Sequence, residues 1–196
     1  MSSFDDIGVA MIPSGYKASK LYSVLPNDGD GDFDFSRATS ATRINSEGLI
    51  ESVGNNVPRL EYPIVNGVVG DCPSLLLEPQ RTNLLPYSNF SSGFTTTNVT
   101  LSNNQGTSPD GTNNATKASM ASGTGAHRVY DSISSSLNDD NVLSVFIKEQ
   151  SDISHIGLQA DTSTANPVWF SGLDGSIINA QGLDAKTESF GNGWHR

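Results

Sequence analysis

Turn-forming residues interrupt this sequence so often that no apolar periodicity persists for long. Gly, Ser, Thr and Asn separate short apolar runs roughly every ten residues, which is the spacing of short antiparallel strands. Charged residues make up 16% of the chain and aromatic residues 8%, and the balance is low in the strong helix formers Glu, Lys, Arg and Ala. The sequence therefore predicts an all-β fold rather than a helical bundle.

The charge and the cysteine content restrict the partners and the compartment of the chain. A formal net charge of −10 repels a phosphate backbone, so we expect no nucleic-acid partner. Cys72 is the single cysteine, which excludes an intrachain disulfide and a multi-cysteine metal site. No apolar run of about 18 residues occurs, so we expect no membrane span. Asp5 and Asp6 stand where a signal peptide carries positive charge, so we expect synthesis and retention in a cytoplasm until assembly or lysis.

Residues 1–32 are expected to form an extended N-terminal arm that docks on a partner. The stretch MIPSGYKASKLYSVLP carries a proline near each end and too few apolar residues to fold alone. Tyr16, Leu21 and Tyr22 are apolar contacts on an otherwise polar segment. We expect these three side chains to contact the partner.

Residues 33–86 are predicted to form a small, hairpin-rich β-unit, here called the collar. Phe33 and Phe35 alternate with polar residues, as in a half-buried strand, and the run Leu75–Leu77 predicts a short buried strand that ends at Pro79. A unit of about 55 residues with few large apolar side chains is marginally stable by itself, and no disulfide is available. We therefore expect oligomerisation to bury its apolar side chains.

The clearest local signal in the collar is the hairpin sequence ATRINSEGLIESV. With Gly48 left-handed in a three-residue turn, Ile44 faces Ile50 and Arg43 faces Glu51. An apolar pair and an ion pair then lie in register. The charged residues of this region either fix the collar through ion pairs or form surface pairs that contribute little. The candidates for ion pairs are Arg37, Arg43, Glu51, Arg59 and Arg81.

Residues 87–196 predict a jelly-roll-like antiparallel β-sandwich. HRVYDSI, VLSVFIK and SHIGLQA predict strands, and NPVWFSGLDGSIINA predicts a hairpin that turns at Asp174-Gly175. The last residues, GNGWHR, predict the start of another strand with no partner after it. We therefore expect the chain to be the ordered portion of a longer protein.

Flat aromatic side chains in the sandwich are candidates for a sugar-binding face, because such rings stack on the apolar side of a pyranose. The alternative is that the rings fill the sandwich core, which we favour for Trp194 beside Gly191 and Gly193. Trp169 and Tyr130 are the predicted glycan-stacking residues.

Four alternating aspartates in PNDGDGDFDFSR resemble a calcium loop, but their spacing does not fit one. An EF-hand loop needs Gly at position 6 and Glu at position 12. Counting from Asp28 or from Asp30 places Phe at position 6 and no Glu at position 12. We interpret the segment as a glycine-rich turn with solvated carboxylates and predict no bound metal, with a weak calcium site that is not of the EF-hand type as the alternative.

No catalytic signature is recognisable in the sequence. It has no GxSxG elbow and no phosphate loop, and His127, His155 and His195 lack metal-ligand spacing. Cys72, between Asp71 and Pro73, suits a packing or neutral role rather than a reactive one. We predict no enzymatic activity and no cofactor.

The stretches FSRATSATRINSEGLIE and LLLEPQRTNLL, within residues 11–90, resemble a module of tailed-bacteriophage virion proteins of the tail fibre or head fibre type. Downstream, HRVY, VLSVFIK, GLDGSI and ESFGNGWHR are similar to the carbohydrate-binding-module-like jelly roll that often follows this module. Members of the family commonly have other residues at Asp28, Asp30 or Asp34, which argues further against a metal site.

The resemblance implies a non-enzymatic virion fibre or fibre-adaptor protein, assembled in the host cytoplasm. Its N-terminal part would attach to other virion proteins of the tail or capsid, and its sandwich would bind a host surface glycan. Such fibres are commonly trimers, which agrees with the marginal collar, so we expect a homotrimer whose weak sites combine into avidity. Two alternatives remain open at this point. One is a glycan depolymerase whose catalytic part lies beyond residue 196 or in the sandwich, and the other is a capsid decoration protein that binds no ligand.

Overall fold

The computed structural model of the protein describes residues 10–25, 28–85, 87–132, 142–148, 152–159 and 167–196. Within these ranges every element of regular secondary structure is a β-strand, so the predicted all-β class is confirmed. The strands are β1 (Ala10–Lys17), β2 (Lys20–Leu25), β3 (Phe33–Asp34), β4 (Ala41–Ile44), β5 (Ile50–Val53), β6 (Leu60–Glu61), β7 (Ile64–Val65), β8 (Val68–Val69), β9 (Ser74–Leu75), β10 (Thr95–Thr97), β11 (Val99–Ser102), β12 (Lys117–Met120), β13 (Arg128–Tyr130), β14 (Ile147–Lys148), β15 (His155–Leu158), β16 (Val168–Ser171), β17 (Ile177–Asn179), β18 (Ser189–Gly191) and β19 (Trp194–His195).

The chain divides into two units. The first unit combines Met1–Glu78 with Phe146–Arg196, and the second unit is Pro79–Val145. Strands β1–β9 and β14–β19 therefore belong to the first unit, and β10–β13 to the second. The predicted modules end instead at residues 32 and 86. Those modules are functional parts rather than packing units, so their boundaries stay predictions.

The described part of the predicted arm folds back on itself instead of extending away. Strands β1 and β2 pair antiparallel around Ala18-Ser19, with Tyr16 opposite Leu21, and β2 also pairs with β3. The turn is fixed from outside, because the Ser19 N–H donates to the Asn56 carbonyl at 2.8 Å. Backbone pairing of this kind needs little apolar sequence. The described part of the arm thus lies against its own chain, and its docking on a partner stays a prediction.

The hairpin of β4 and β5 has the predicted register. Both cross-strand pairs are confirmed, with Arg43 opposite Glu51. The turn is the predicted three-residue turn, because the Asn45 N–H donates to the Leu49 carbonyl at 2.9 Å and Gly48 has a φ of 78°. Local turn chemistry therefore sets the register of this part of the collar.

The loop between β5 and β6 is organised around Arg37, which was predicted to form an ion pair. Nη2 of Arg37 instead donates to the carbonyls of Val53, Gly54 and Val57. The Arg37 backbone N–H donates to Oδ1 of Asn56 at 2.9 Å, and the Asn56 N–H returns a bond to the Arg37 carbonyl at 3.1 Å. Burial lowers the pKa of Arg37, and the nearby charge of Arg59 adds to that effect. Arg37 therefore binds the end of β5 and two carbonyls of the loop that follows it.

Few apolar side chains are buried in the described residues. They are Leu21, Val53, Leu60, Val168 and Phe190, together with the fully enclosed Pro58. The prediction of a buried strand at Leu75–Leu77 is wrong in two respects: β9 stops at Leu75, and Leu75 and Leu76 are half-buried while Leu77 is 71% exposed. The pairing of β9 with β6 covers Ser74 and Leu75 and does not reach Leu77.

The strand predicted from GNGWHR is present as β19, and its partners are two strands that precede it in the chain. β19 lies between β14 and β18 in a three-stranded sheet. The chain reverses at Gly191, Asn192 and Gly193, which all have positive φ, and so pairs β19 with the strand immediately before it. Phe146, just before β14, packs edge-on against Phe190 with ring centroids 4.9 Å apart. The second partner, β14, comes from more than forty residues earlier, which a local reading of GNGWHR does not show.

The remaining sheet of the first unit has the order β15-β16-β17. Its predicted turn at Asp174-Gly175 is confirmed, since Gly175 has a φ of 67° and the Ser171 N–H donates to the Ser176 carbonyl at 2.8 Å. All the described sheets have two or three strands and pair antiparallel. The jelly-roll arrangement stays a prediction.

The second unit contains the two-stranded sheets β10-β13 and β11-β12. A polar loop between β11 and β12 is organised by Asp110. Its carboxylate accepts hydrogen bonds from the Ser108 hydroxyl at 2.6 Å, from the N–H and hydroxyl of Thr112, and from the Asn114 amide at 3.0 Å. Burial alone would raise the pKa of Asp110, but these bonds outweigh it and lower the pKa to about 2.

The turn of the β4–β5 hairpin gives a stability prediction. An added Cβ at Gly48 would lie 2.6 Å from Cγ2 of Val69, and the φ of 78° disfavours any L side chain. We expect Gly48→Ala to lower the free energy of unfolding by about 1–3 kcal/mol in urea denaturation. The control is Gly54→Ala, where an added Cβ meets no atom within 4 Å. Equal losses in the two variants would contradict the turn assignment.

The Asp110 loop gives a pH prediction. The folded pKa is depressed below the unfolded value of 3.8, so the stabilisation is present above that value and is lost as the pH falls toward 2. At neutral pH we expect Asp110→Asn to cost on the order of 1 kcal/mol, discounted because the carboxylate is solvent-screened. The difference from the wild type should be small near pH 2 and vanish below it, as the pH falls through the folded pKa, when measured by urea denaturation with NMR signals of the second unit. Asp131→Asn is the charge-matched control in that unit, and a penalty independent of pH would argue against this role of Asp110.

Candidate functional site

A polar pocket of 440 Å³ opens between the end of β1, the β4–β5 hairpin and the end of β6, and is here called the hairpin pocket. It brings together three residues that the sequence predicted for separate roles. Tyr16 was assigned to partner docking, and Arg43 and Glu51 to a collar ion pair. The lining residues are Tyr16, Arg43, Asn45, Ser46, Glu47, Glu51, Leu60 and Tyr62.

A bonded network forms one wall of the hairpin pocket. Nε of Arg43 pairs with Oε1 of Glu51, and the Asn45 amide donates to Oε2 of Glu51 at 3.3 Å. The hydrogen bond from Arg43 lowers the pKa of Glu51, since it stabilises the charged carboxylate. Burial would lower the pKa of Arg43, but Glu51 and Tyr16 together outweigh it and raise that pKa. Both charges therefore persist in neutral solution, and each is held in place by the other.

The backbone of the hairpin fixes the rim of the pocket. Oδ1 of Asn45 accepts hydrogen bonds from the backbone N–H groups of Glu47 and Leu49, both at 2.9 Å. This arrangement holds the turn and leaves the side chains of Ser46 and Glu47 exposed. The amide of Asn45 thus links the turn to the charged wall.

The other wall is held by long-range pairing. The Tyr62 N–H donates to the Ile44 carbonyl at 3.1 Å, which places the end of β6 beside β4. Leu60 is buried and pairs across the sheet with Leu75. Tyr16 is positioned by its partner Leu21, which is 2% exposed. Two phenol rings and one leucine therefore accompany the charged network.

Five lining residues were missed by the sequence reasoning: Asn45, Ser46, Glu47, Leu60 and Tyr62. Asn45 had a local signal, because an asparagine two residues before another turn residue often bonds the turn backbone. For Leu60 and Tyr62 the signal is long-range, since only the pairing of β6 beside β4 and β9 places them at this site.

The predicted docking residues do not form one exposed surface. Leu21 is in the core of the first unit, so its side chain is already covered by its own chain. Tyr22 is half-buried, with the Lys17 ammonium 5.5 Å from its ring centroid. A hydrogen bond with Tyr22 raises the pKa of Lys17. Tyr16 lines the hairpin pocket, whereas Leu21 and Tyr22 are not among its lining residues.

The remaining predicted ion-pairing residues differ in their environments. Nη1 of Arg59 lies 2.8 Å from Oε2 of Glu78 and also donates to the Thr42 carbonyl at 3.3 Å. Arg81 belongs to the second unit and is exposed, and within the described part of the chain it forms no ion pair.

Trp169 lies on the outward face of the β15-β16-β17 sheet. Its neighbour Val168 is buried, whereas Trp169 is 36% exposed and is paired across the sheet with Gly157 and Asn179. An added Cβ at Gly157 would lie 3.1 Å from Cζ3 of Trp169, so the indole lies over this glycine. The ring of His155 is edge-on to the indole at 6.4 Å. The indole of Trp169 therefore has the imidazole of His155 and the amide residue Asn179 as neighbours, and a sugar can stack on a surface of this kind.

The other aromatic candidates have separate positions. Tyr130 is exposed in the second unit, opposite Thr95, so the two predicted stacking residues belong to different units. Trp194, predicted for the core, is half-buried in β19, with the Lys148 ammonium 6.0 Å from its ring centroid.

The aspartate segment is a turn followed by β3, as predicted, but not all of its carboxylates are solvated. Oδ1 of Asp32 accepts a bond from the Ser23 N–H at 2.8 Å, and this side chain is 12% exposed. The Lys20 ammonium lies 3.9 Å from Asp32 and 3.7 Å from Asp34. Across the described ranges, His, Cys, Asp and Glu side chains form no group of three or more suited to a metal ion.

Cys72, for which a packing or neutral role was predicted, is exposed, so it does not pack in a core. No helix suited to crossing a membrane occurs in the residues that the structure describes.

Comparison with family models, with curated proteins and with solved structures gives no match to this chain.

Proposed function

We propose that the protein is a non-enzymatic bacteriophage virion fibre or fibre-adaptor protein. Its N-terminal part attaches it to the tail or capsid, and its C-terminal strands present a host-binding surface for glycans. The proposal rests on the resemblance of residues 11–90 to virion fibre modules and on one physical observation, the imbalance between buried and exposed apolar side chains.

That imbalance is large for a chain of 196 residues. In the described residues five apolar side chains are buried in the core, while sixteen large apolar side chains are exposed. Val65 and Val68 are an example: they pair across the β7–β8 hairpin and are 64% and 69% exposed. A single chain of this length normally buries about 70% of its unfolded surface. Assembly with sister chains would cover apolar surface that the monomer leaves in water.

A glycan-binding role is supported by the surroundings of Trp169. The indole is exposed on one side, rests over Gly157 on the other, and has polar neighbours that can bond sugar hydroxyls. One such contact is weak, but three copies in a trimer bind a repeating host polysaccharide with avidity. The combination of a small core and an exposed aromatic platform suits a multivalent adhesin.

The first test is the oligomeric state of the full chain. We expect sedimentation equilibrium at micromolar concentration to give a mass of three times 20.7 kDa. The double variant Val65→Lys, Val68→Lys should weaken the trimer, because it places charge on an exposed apolar pair. A wild-type monomer that unfolds cooperatively at high temperature would contradict the assembly proposal.

The second test is glycan binding. We expect the full chain to bind a subset of bacterial surface polysaccharides on a glycan array, and Trp169→Ala to reduce that binding about tenfold or more. Trp169→Phe, which keeps a flat ring, should retain part of it. An array without any hit would favour a decoration protein, and release of reducing ends from the bound polysaccharide would favour a depolymerase.

A further inference from the structure

The hairpin pocket lies in the region predicted to serve only for oligomerisation, yet its walls have the composition of a ligand site. We propose that it binds one neutral, hydroxyl-rich sugar residue, with Arg43 and Glu51 bonding adjacent hydroxyls and the rings of Tyr16 and Tyr62 supplying apolar contact. The volume of 440 Å³ is within the range of about 300–1,000 Å³ that is typical of small-ligand sites. This inference goes beyond the proposed function, which assigns glycan contact to Trp169.

The charges of the pocket favour a neutral ligand. Arg43 contributes one positive charge, while Glu47 and Glu51 contribute two negative charges. An anion such as phosphate or a carboxylate would therefore meet net repulsion. A cation would be attracted by Glu47 at the rim, but the guanidinium neutralises Glu51, so the paired wall presents no net charge to it. Both oxygens of Glu51 accept hydrogen bonds from protein groups, so this carboxylate is poorly placed to bind a metal ion.

The chemistry of the wall matches vicinal hydroxyls. A guanidinium offers donors only and a carboxylate offers acceptors only, and here the two are adjacent. Neighbouring hydroxyls of a pyranose can each donate and accept, so one hydroxyl can accept from Arg43 while the next donates to Glu51. Leu60 and the two phenol rings then meet the C–H face of the sugar.

The network is ordered before any ligand arrives. Asn45 bonds both the turn backbone and Glu51, and Glu51 in turn holds Arg43. A preorganised wall avoids the entropy cost of fixing long side chains on binding. At the rim, the side chains of Ser46 and Glu47 are exposed and form no hydrogen bond with other described residues, which leaves them available to a ligand.

The test is an NMR titration of the isotope-labelled full chain with the methyl glycosides of glucose, galactose, mannose and N-acetylglucosamine. We expect at least one sugar to shift the amide signals of Ser46, Glu47 and Tyr62 in a saturable manner, with a Kd on the order of 1–10 mM. Tyr62→Ala and Glu47→Gln should each weaken binding about fivefold or more, which corresponds to about one hydrogen bond or ring contact. Glu188→Gln, an exposed glutamate outside the pocket, is the matched control and should leave the Kd unchanged.

Three results would overturn the proposal. The first is that the pocket signals stay unchanged at about 100 mM sugar, well above the expected Kd. The second is that tetramethylammonium gives saturable shifts and none of the sugars does. The third is that the sugar-induced shifts persist in Tyr62→Ala and Glu47→Gln. Trp169→Ala separates this proposal from the preceding one. We expect that variant to keep the pocket shifts even though it loses polysaccharide binding, so either site can fail without the other.

Discussion

The junction of Arg37 and Asn56 is the interaction on which the N-terminal half depends. Arg37 holds three carbonyls of the β5–β6 loop, and Asn56 bonds both the Arg37 backbone and the turn at Ser19. This junction ties the β1–β2 hairpin to the β4–β5 hairpin. Tyr16 belongs to the first hairpin and Arg43 to the second, so the hairpin pocket exists because the two are fixed to each other.

In most proteins the burial of apolar side chains holds the chain in place. In this protein, hydrogen bonds from polar side chains to loops do a large part of this. The Asp110 carboxylate accepts hydrogen bonds from several residues of its loop in the second unit. The Asp174 carboxylate has the same role at the β16–β17 turn, where hydrogen bonds from Ser171 and Ser176 lower the pKa of Asp174 to about 2. Such bonds fix local geometry but contribute modest net free energy. A chain built in this way has well-defined loops over a thin core, which is a reason to expect stabilisation by other copies.

The sequence was informative where the interaction is local and misleading where it is long-range. The β4–β5 register followed from Gly48 and two cross-strand pairs a few residues apart, and the turn at Asp174-Gly175 followed from similar chemistry. The pairing of β2 with β3, the carbonyl bonds of Arg37 and the second partner of β19 join residues whose local patterns do not specify one another. Five of the eight residues that line the hairpin pocket lie in the β4–β5 hairpin and its turn, whereas Tyr16, Leu60 and Tyr62 are brought there by long-range pairing. Of the eight, Tyr16, Arg43 and Glu51 were selected beforehand.

The tip of the β7–β8 hairpin meets the turn between β18 and β19, where the Gly67 carbonyl oxygen leaves no room for a side chain at Gly191. During translation these two glycines emerge from the ribosome far apart in time, since elongation adds about 5–20 residues per second. The first unit therefore stays incomplete for several seconds, during which the whole of the second unit, continuous in sequence, is synthesised. During this time the edges of the nascent N-terminal strands are unpaired. Neighbouring chains on the same polysome, or a chaperone, then have their best access to these strands.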